Sequence, residues 1–422
     1  MSGQFEVFQD PVLGEEVWLA TTTAGLRIRV LPREHIREAA AAIAFNYGSV
    51  DLEFEEDGRT VQTPAGTAHY LEHKLFEDEE LAVFQRFAQR GARVNAQTGF
   101  SRTTYYFLAT SAIRENLQDL LRLVAKPHIT QENVDKERGI IAQEVQMYED
   151  SADYCTAFDL LGCMYPEHPV RYTVGGTTDS INEITPELLM ASWRAFYRTG
   201  NAALAVAGNV DPNEVLELAE ACVLPAGPAP QCRTPADFGP IGSQRRERTM
   251  AVSRPKVLIG LKDRADATDW RARAERRART SVVLDRMFAS SSEVREALHR
   301  SGAVDDSLGA GYHGEDGFAF ANIGCEHEDP VAAEAALREV LLKPVAFEEE
   351  QLERLRRRHM GAFVRGCESA HSLAFGHAYE TLDEAPPFHS LGVIKDLTLD
   401  AVEARRKDLL VEDNLAVAVT RR

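Results

Sequence analysis

The sequence predicts an α+β fold: a tandem duplication of two similar α/β sandwich domains, each an antiparallel-rich sheet with helices packed on it. Three observations support this. The 422 residues exceed the length of one ordinary domain. Proline and glycine are concentrated in residues 225–242, a composition typical of an extended linker. Similar blocks of sequence stand on either side of this linker.

The repeated blocks are Ile181–Ala207 and Ile394–Val419. In each block a threonine, Thr185 or Thr398, stands where a helix N-cap is expected, with an acidic residue in the following turn. Sixteen residues later an asparagine precedes a short apolar run, which is typical of a buried strand. The offset between the blocks is 213 residues, about half the chain, which indicates duplication.

The duplication and the linker together predict the domain boundaries. We expect an N-terminal domain at 1–224, a Pro-rich linker at 225–242 and a C-terminal homologous domain at 243–422. Periodicity further predicts strands at 26–31 and 103–108, and helices at 67–90, 111–124, 131–148 and 347–366.

Composition restricts the possible partners and location. The 47 Lys and Arg residues are outnumbered by 66 Asp and Glu, and the net charge of −19 disfavours nucleic acid and anionic membranes. The N-terminus lacks signal-peptide features, and no apolar run reaches the roughly 18 residues of a membrane helix. The six cysteines form no C-x-x-C pair. These features predict a cytoplasmic protein with reduced thiols.

His69-Tyr70-Leu71-Glu72-His73 is a candidate metal motif. Histidines four residues apart lie on one face of a helix, one turn from each other, and can chelate one cation. Glu72 lies on the same side and can face a metal-bound water. This is the H-x-x-E-H order of inverzincin peptidases, although so short a pattern also arises by chance. Thr67 is the expected N-cap of the helix.

A catalytic zinc site needs a third protein ligand from another element. The helical segment 131–148 offers Glu137 and Glu144, which are seven residues apart and therefore on one face. Two histidines and one glutamate would give a site that lowers the pKa of bound water to roughly 7.

Beyond this motif, the sequence resembles the pitrilysin-type (inverzincin) zinc metallopeptidases, which include the mitochondrial processing peptidase subunits. Lys74 and Met147–Asp150 resemble the bacterial YmfH-like branch. The resemblance implies two similar domains forming one half of a peptidase clamshell, which encloses a chamber for unfolded peptides. It is carried by Tyr47–Ser49, Ala68–Phe76, Val94–Thr98, Lys136–Glu144 and His168-Pro169.

The resemblance assigns roles to individual residues. It implies an endopeptidase with one Zn²⁺ per chain, bound by His69, His73 and Glu144. Glu72 becomes the general base and Glu137 a supporting glutamate. The residues expected to bind a peptide substrate as an added β-strand are Asn95, Ala96 and Thr98.

The second half departs from the family at one place. Active clamshells carry an Arg and a Tyr about seven residues apart in a domain of this type. Aligned on Gly302, this chain has Asp305 at the Tyr position and Leu298 or His299 at the Arg position. The off-register candidates are Arg300 and Tyr312. We therefore expect a second homologous subunit to supply the pair in a heterodimer, with a homodimer as the alternative.

Competing interpretations remain open at this point. The chain could be a non-catalytic scaffold subunit that retains a zinc site, or the zinc could be purely structural. Gly309–Gly314 is glycine-rich but lacks the P-loop Lys-Ser/Thr, and we interpret it as a turn between strands. His377 and Glu380 are interpreted as an ordinary, partly buried helix face.

Overall fold

Two mixed β-sheets, of seven and five strands, organise the described part of the chain. The computed structural model describes residues 4–56, 58–77, 83–230, 232, 236–237, 239–264, 269–343 and 347–422. The strands within these residues are β1 Glu6–Gln9, β2 Glu16–Thr21, β3 Arg27–Pro32, β4 Ala39–Phe45, β5 Glu53–Glu56, β6 Arg59–Gln62, β7 Arg93–Thr98, β8 Thr103–Ala109, β9 Ala202–Gly208, β10 Arg245–Thr249, β11 Lys256–Asp263, β12 Gly309–Glu315, β13 Phe318–Glu326 and β14 Leu415–Arg421.

The helices confirm the predicted helical segments 111–124, 131–148 and 347–366 to within two residues, whereas the stretch 67–90 contains two helices and is not helical at residues 76–77. Those in the described residues are α1 Thr67–Leu75, α2 Val83–Gln89, α3 Ile113–Ala125, α4 Gln131–Glu149, α5 Ala152–Met164, α6 Thr178–Asn182, α7 Pro186–Phe196, α8 Pro212–Glu220, α9 Trp270–Phe288, α10 Glu293–Arg300, α11 Pro330–Leu342, α12 Glu349–Gly366, α13 Ala370–Leu382, α14 His389–Lys395 and α15 Leu399–Leu409. None of these helices is long and apolar enough to cross a lipid bilayer.

The chain forms two compact units, and neither is continuous in sequence. The first unit comprises Met1–Val145, Thr173–Arg233 and Phe363–His389. The second comprises Gln146–Tyr172, Thr234–Ala362 and Ser390–Arg422. Each unit therefore contains one helix from the opposite half of the sequence: α13 in the first and α5 in the second.

The sheet of the first unit has the order β1-β2-β3-β9-β4-β8-β7. Its central strands β4 and β9 are buried along their whole length. On β4, Ile43 and Phe45 lie in the larger core, while Ala42 and Ala44 lie in a second core on the other face. This is the alternation of a strand covered on both sides.

Helix α13 covers the alanine-rich face of this sheet. Ala370, Ala374 and Ala378 lie in one core cluster with alternate alanines of the two strands, Ala40, Ala42 and Ala44 of β4 and Ala203, Ala205 and Ala207 of β9. Small side chains on both surfaces allow the helix to lie close to the strands, which increases the number of van der Waals contacts. Arg29 of β3 also binds Glu380 of α13, with 2.9 Å between its guanidinium nitrogen and the carboxylate. The segment around His377 and Glu380 is thus a helix face buried against a sheet.

The sheet of the second unit has the order β10-β14-β11-β13-β12, and α5 packs on its strands β11 and β14. Gly260 of β11 makes room for this helix, because a Cβ there would lie 2.7 Å from the Met164 sulfur and 2.9 Å from a Leu160 methyl. A residue without a side chain is therefore required where α5 crosses the strand.

The two sheets share one topology, which confirms the predicted fold class. The run β3-β9-β4-β8-β7 of the first sheet corresponds to the whole second sheet, and each run begins with one parallel pair followed by antiparallel pairs. Thr185 and Thr398 are N-caps, of α7 and α15 respectively. The predicted domain boundaries at 224 and 243 divide the chain by sequence position, whereas the compact units are discontinuous. They remain a prediction of where the duplicated segments end and begin.

Two local predictions are wrong. Residues Gly309–Glu315 form the edge strand β12, because their backbone pairs with β13 along the whole segment, whereas a turn was expected. Thr67 is the first residue of α1, and its hydroxyl donates to the carbonyl of Pro64. The N-cap is Gly66 in the left-handed conformation (φ 94°), without a side-chain cap.

Parts of two predicted segments lie outside the described residues. These are 78–82 in the predicted helical stretch 67–90, and 231, 233–235 and 238 in the predicted linker. The described part of the linker contains no helix, as expected from its prolines.

The start of α1 depends on a close backbone contact with residues 175–176. A Cβ on Gly66 would lie 2.5 Å from the carbonyl oxygen of Gly175, and the φ of Gly66 is positive. We expect Gly66→Ala to lower the free energy of unfolding by more than about 2 kcal/mol, because strain and overlap add. Chemical denaturation measures this loss.

Gly91 provides the matched control for this substitution. It also has a positive φ, of 70°, but a Cβ there would meet no atom within 4 Å. Gly91→Ala should cost only about 1 kcal/mol. Equal losses for the two variants would contradict the importance of the backbone contact.

Candidate metal centre

Helix α1 carries the H-x-x-E-H motif at the border between core and surface. Tyr70 and Leu71 are fully buried in the core of the first unit. Burial of these side chains fixes the rotation of the helix about its axis. His69 and His73 then share another face, with 4.7 Å between their ring centroids. The predicted pairing of the two imidazoles is therefore present.

Glu144 of α4 lies between the two histidines. Its Oε1 is 3.7 Å from Nε2 of His69, and its Oε2 is 3.3 Å from Nε2 of His73. One ligand atom from each residue lies within 4.8 Å of the others. Among the residues that the structure describes, this is the single cluster of three or more His, Cys, Asp or Glu with such spacing.

Glu137 lies next to this cluster, on the opposite side of the His73 ring from Glu144. Its Oε1 is 3.0 Å from Nδ1 of His73, on the side of the ring away from Glu144. A proton on Nδ1 would be donated to Glu137, which leaves the lone pair on Nε2 to face the cluster. This arrangement of a carboxylate behind a histidine is the usual support of a metal-binding imidazole.

Glu72 is held by β7. Its Oε2 accepts a hydrogen bond from the Thr98 hydroxyl at 2.5 Å, and the Thr98 backbone N–H also favours the ionised carboxylate. The residue is only 8 % exposed. Burial nevertheless dominates and raises the pKa of Glu72 above its ordinary value. A buried carboxylate with a raised pKa is a stronger base at neutral pH.

The pKa values of the two histidines are shifted in opposite directions. Burial, reinforced by the charge of His73, lowers the pKa of His69 to about 4, so that its imidazole is neutral. Burial also lowers the pKa of His73, but hydrogen bonds to Glu137 and Glu144 outweigh it and raise the value to about 9. The carboxylates thus attract positive charge to the point where a cation would lie.

These donors fit a zinc ion. Two imidazole nitrogens and one carboxylate oxygen are a known ligand set of catalytic zinc, which keeps a fourth position open. The Nδ1 atom of His69 is buried and has no hydrogen-bond partner among the described residues. No hydrogen bond at this atom therefore holds the ring in an orientation that would compete with metal binding. The triad could therefore hold a metal ion.

The three predicted substrate-binding residues lie on β7, an edge strand of its sheet. Asn95 is exposed and Ala96 packs into the core. Gly99 bonds to Arg102 across the hairpin, and the alternation of an antiparallel ladder then turns the N–H groups of Ala96 and Thr98 outward. The Asn95 side chain accepts the Ala96 N–H at 2.9 Å.

In the second unit, the residues near the expected Arg/Tyr positions have other partners. Asp305 forms an ion pair with Arg254. The hydroxyl of Tyr312 donates to buried Asp263 at 2.7 Å. Arg300 pairs with Glu296, one turn earlier on α10, at 3.0 Å. Arg300 and Tyr312, the off-register candidates, thus both have partners within the second unit.

The contact between Thr98 and Glu72 was not predicted from the sequence. Thr98 was assigned to substrate binding alone, and 26 residues separate it from Glu72. Only the packing of α1 against the edge of the sheet brings the two together. The sequence carried no signal for this pairing, because many threonines occur in strands.

Comparison with known proteins identifies relatives over the whole chain. The family described as "Insulinase (Peptidase family M16)" matches residues 37–178, and "Peptidase M16 inactive domain" matches 183–358. A Bacillus subtilis protein named "Uncharacterized zinc protease YmfH" is 31 % identical, over 98 % of this chain and 97 % of its own length.

Solved structures agree with the sequence relatives. An M16-like protein from Alicyclobacillus acidocaldarius is 32 % identical and superposes with a TM-score of 0.89, over 100 % of this chain and 98 % of that one. Pitrilysin shares the fold with a TM-score of 0.77 at 15 % identity, and the match covers 100 % of this chain but 46 % of pitrilysin. The resemblance stated from the motifs is thereby confirmed: the chain belongs to peptidase family M16, the insulinase family.

Proposed function

We propose that this chain is the zinc-binding catalytic subunit of an endopeptidase that cleaves unfolded peptides. One observation carries the proposal: the donor atoms of His69, His73 and Glu144 lie within 4.8 Å of one another, beside a buried carboxylate, Glu72. A zinc ion bound there supplies a Lewis acid that polarises the scissile carbonyl and acidifies a water molecule.

Glu72 acts as the general base and acid. Burial raises its pKa, and Thr98 fixes its Oε2, so that the remaining oxygen can accept a proton from the attacking water. The same carboxyl group then delivers this proton to the leaving amine. Proton transfer of this kind contributes about 10²–10⁴-fold to a rate.

Glu137 and Glu144 have separate roles in this proposal. Glu144 contacts both histidine Nε2 atoms and serves as the third zinc ligand. Of the two nitrogens of His73, Glu137 contacts only Nδ1. This contact holds the ring in the tautomer that can bind a metal through Nε2. Glu137 therefore supports activity without contacting the metal ion.

The outer edge of β7 is the proposed substrate-binding strand. An extended peptide pairing with an edge strand gains main-chain hydrogen bonds without a sequence requirement. The Asn95 side chain bonds the outward N–H of Ala96, and the substrate would take its place. Thr98 joins this edge to Glu72, so a peptide bound here would pass the catalytic carboxylate.

A second homologous subunit is proposed to complete the active site. Pitrilysin is about twice as long as this chain, which covers 46 % of it. The Arg and Tyr expected in the second half are replaced, and the nearest candidates bond to Glu296 and Asp263. A partner would supply groups that stabilise the developing oxyanion; a heterodimer is the proposed assembly.

Replacing the general base should separate catalysis from metal binding. We expect Glu72→Gln to lower peptide hydrolysis by about 10²-fold or more, because the amide cannot accept the proton, while zinc remains bound. A quenched-fluorescence peptide and elemental analysis measure the two effects. Glu132→Gln, at an exposed site in the first turn of α4, is the control. Undiminished hydrolysis by Glu72→Gln would exclude its role.

Removing zinc should stop hydrolysis without unfolding the protein. The first unit has extensive cores around its sheet, so its fold does not depend on one ion. We expect a chelator to abolish activity, zinc to restore it, and circular dichroism to stay unchanged. Cooperative unfolding on chelation would instead indicate a purely structural zinc.

The state of assembly tests the role of the partner. The isolated chain should be monomeric or weakly active, and a zinc-less homologue that carries the Arg/Tyr pair should restore cleavage. Size-exclusion chromatography with light scattering, followed by the peptide assay, makes the measurement. A homodimer of this chain with full activity would contradict the heterodimer.

A further inference from the structure

Lys74, the residue after His73, is completely buried, with 0 % exposure. An ammonium group removed from water is costly unless acceptors surround it. Its Nζ donates to the backbone carbonyl of Asn133 at 2.9 Å and lies 2.8 Å from a carboxylate oxygen of Glu77. It is also 3.9 Å from Oε2 of Glu137. The buried charge is therefore placed among carboxylates next to the metal site.

Glu137 connects Lys74 to His73. One of its oxygens faces Nδ1 of His73 at 3.0 Å, and the other faces the Lys74 ammonium. The two contacts, a hydrogen bond to His73 and a longer-range charge attraction to Lys74, favour this orientation of the carboxylate. They also make the chain of contacts from Lys74 through Glu137 to His73 continuous.

Lys74 also ties α1 to the beginning of α4. Tyr70, one turn earlier on α1, donates its hydroxyl to the carbonyl of Val134, while Lys74 donates to that of the preceding residue, Asn133. Two such bonds fix how far α4 can slide along α1. Because Glu137 and Glu144 lie on α4, this register sets their distances from the histidines.

We propose that Lys74 is a positioning residue of the metal site: its buried ammonium orients Glu137 and fixes the start of α4, so that His73 presents Nε2 to the metal. This inference rests on the proposed function, since it assumes that His73 is a ligand. In this proposal Lys74 is not itself a ligand of the metal. Partners of this indirect kind typically contribute 10- to 100-fold to metal affinity.

The first measurement is zinc affinity by competition with a fluorescent chelator. Lys74→Met keeps the length of the side chain and removes its charge, and we expect about 10-fold weaker binding. Lys262→Met is the matched control, because Lys262 is also buried (4 % exposed) but pairs with Asp237 at 2.8 Å in the second unit. Its zinc affinity should equal that of the unmodified chain. Unchanged affinity in Lys74→Met would overturn the proposal.

A double-mutant cycle tests the route through Glu137. If Lys74 acts by orienting this carboxylate, Lys74→Met should have little further effect on zinc affinity in a Glu137→Gln background. If the fold-losses in zinc affinity of the two single variants multiplied in the double variant, Lys74 would not act through Glu137, and this part of the proposal would be wrong. In the zinc-loaded protein, the Nδ1 proton of His73 should also exchange faster with solvent in Lys74→Met, as measured by NMR. An unchanged exchange rate would contradict the role of Lys74.

Folding of each variant is established first by circular dichroism and thermal unfolding. Lys74→Gln, which keeps a donor for the Asn133 carbonyl, replaces Lys74→Met if the latter does not fold. If neither folds, Lys74 serves the fold and the proposal is wrong. Failure of the proposed function has a different signature: the unmodified chain would bind no zinc, or its hydrolysis would not depend on Glu72.

Discussion

The hydrogen bonds between α1 and α4 hold the candidate metal site together, because neither helix carries a complete ligand set. Helix α1 supplies His69, His73 and the neighbouring Glu72, while α4 supplies Glu144. The contact of His73 with Glu137 joins the two helices at 3.0 Å. In a buried setting such contacts are electrostatically stronger than in water, and an unpaired group is correspondingly costly. The site is therefore as rigid as the packing of these helices.

Close packing of small residues explains how each unit accommodates a helix from the other half of the sequence. The alanines of β4 and β9 give α13 a smooth surface, and Gly260 leaves room for α5. Larger residues at these positions would hold the helices away and open voids. The parallel and antiparallel pairings are conserved between the two sheets, so the duplication preserved backbone topology while the side chains diverged.

This divergence is clearest in the chemistry of the two units. In the first, buried polar groups converge on the cluster around His73, and the pKa values of Glu72 and His73 are raised. In the second, the buried Asp263 is paired with Arg405 and accepts the Tyr312 hydroxyl, so its charge is satisfied within the fold.

The sequence by itself determined the duplicated α+β architecture, the helices that carry the histidines and glutamates, and the motif that identifies the family, because these depend on periodicity and spacing along one segment. It could not determine that Gly309–Glu315 pairs as an edge strand, or that Gly66 caps α1. The choice between Glu137 and Glu144 as the third ligand needed the family resemblance; in the structure, Glu144 is the one that lies near both histidines. Only the tertiary structure placed Thr98 on Glu72 and Lys74 beside Glu137, because contacts between distant segments depend on how whole elements pack and not on any local pattern.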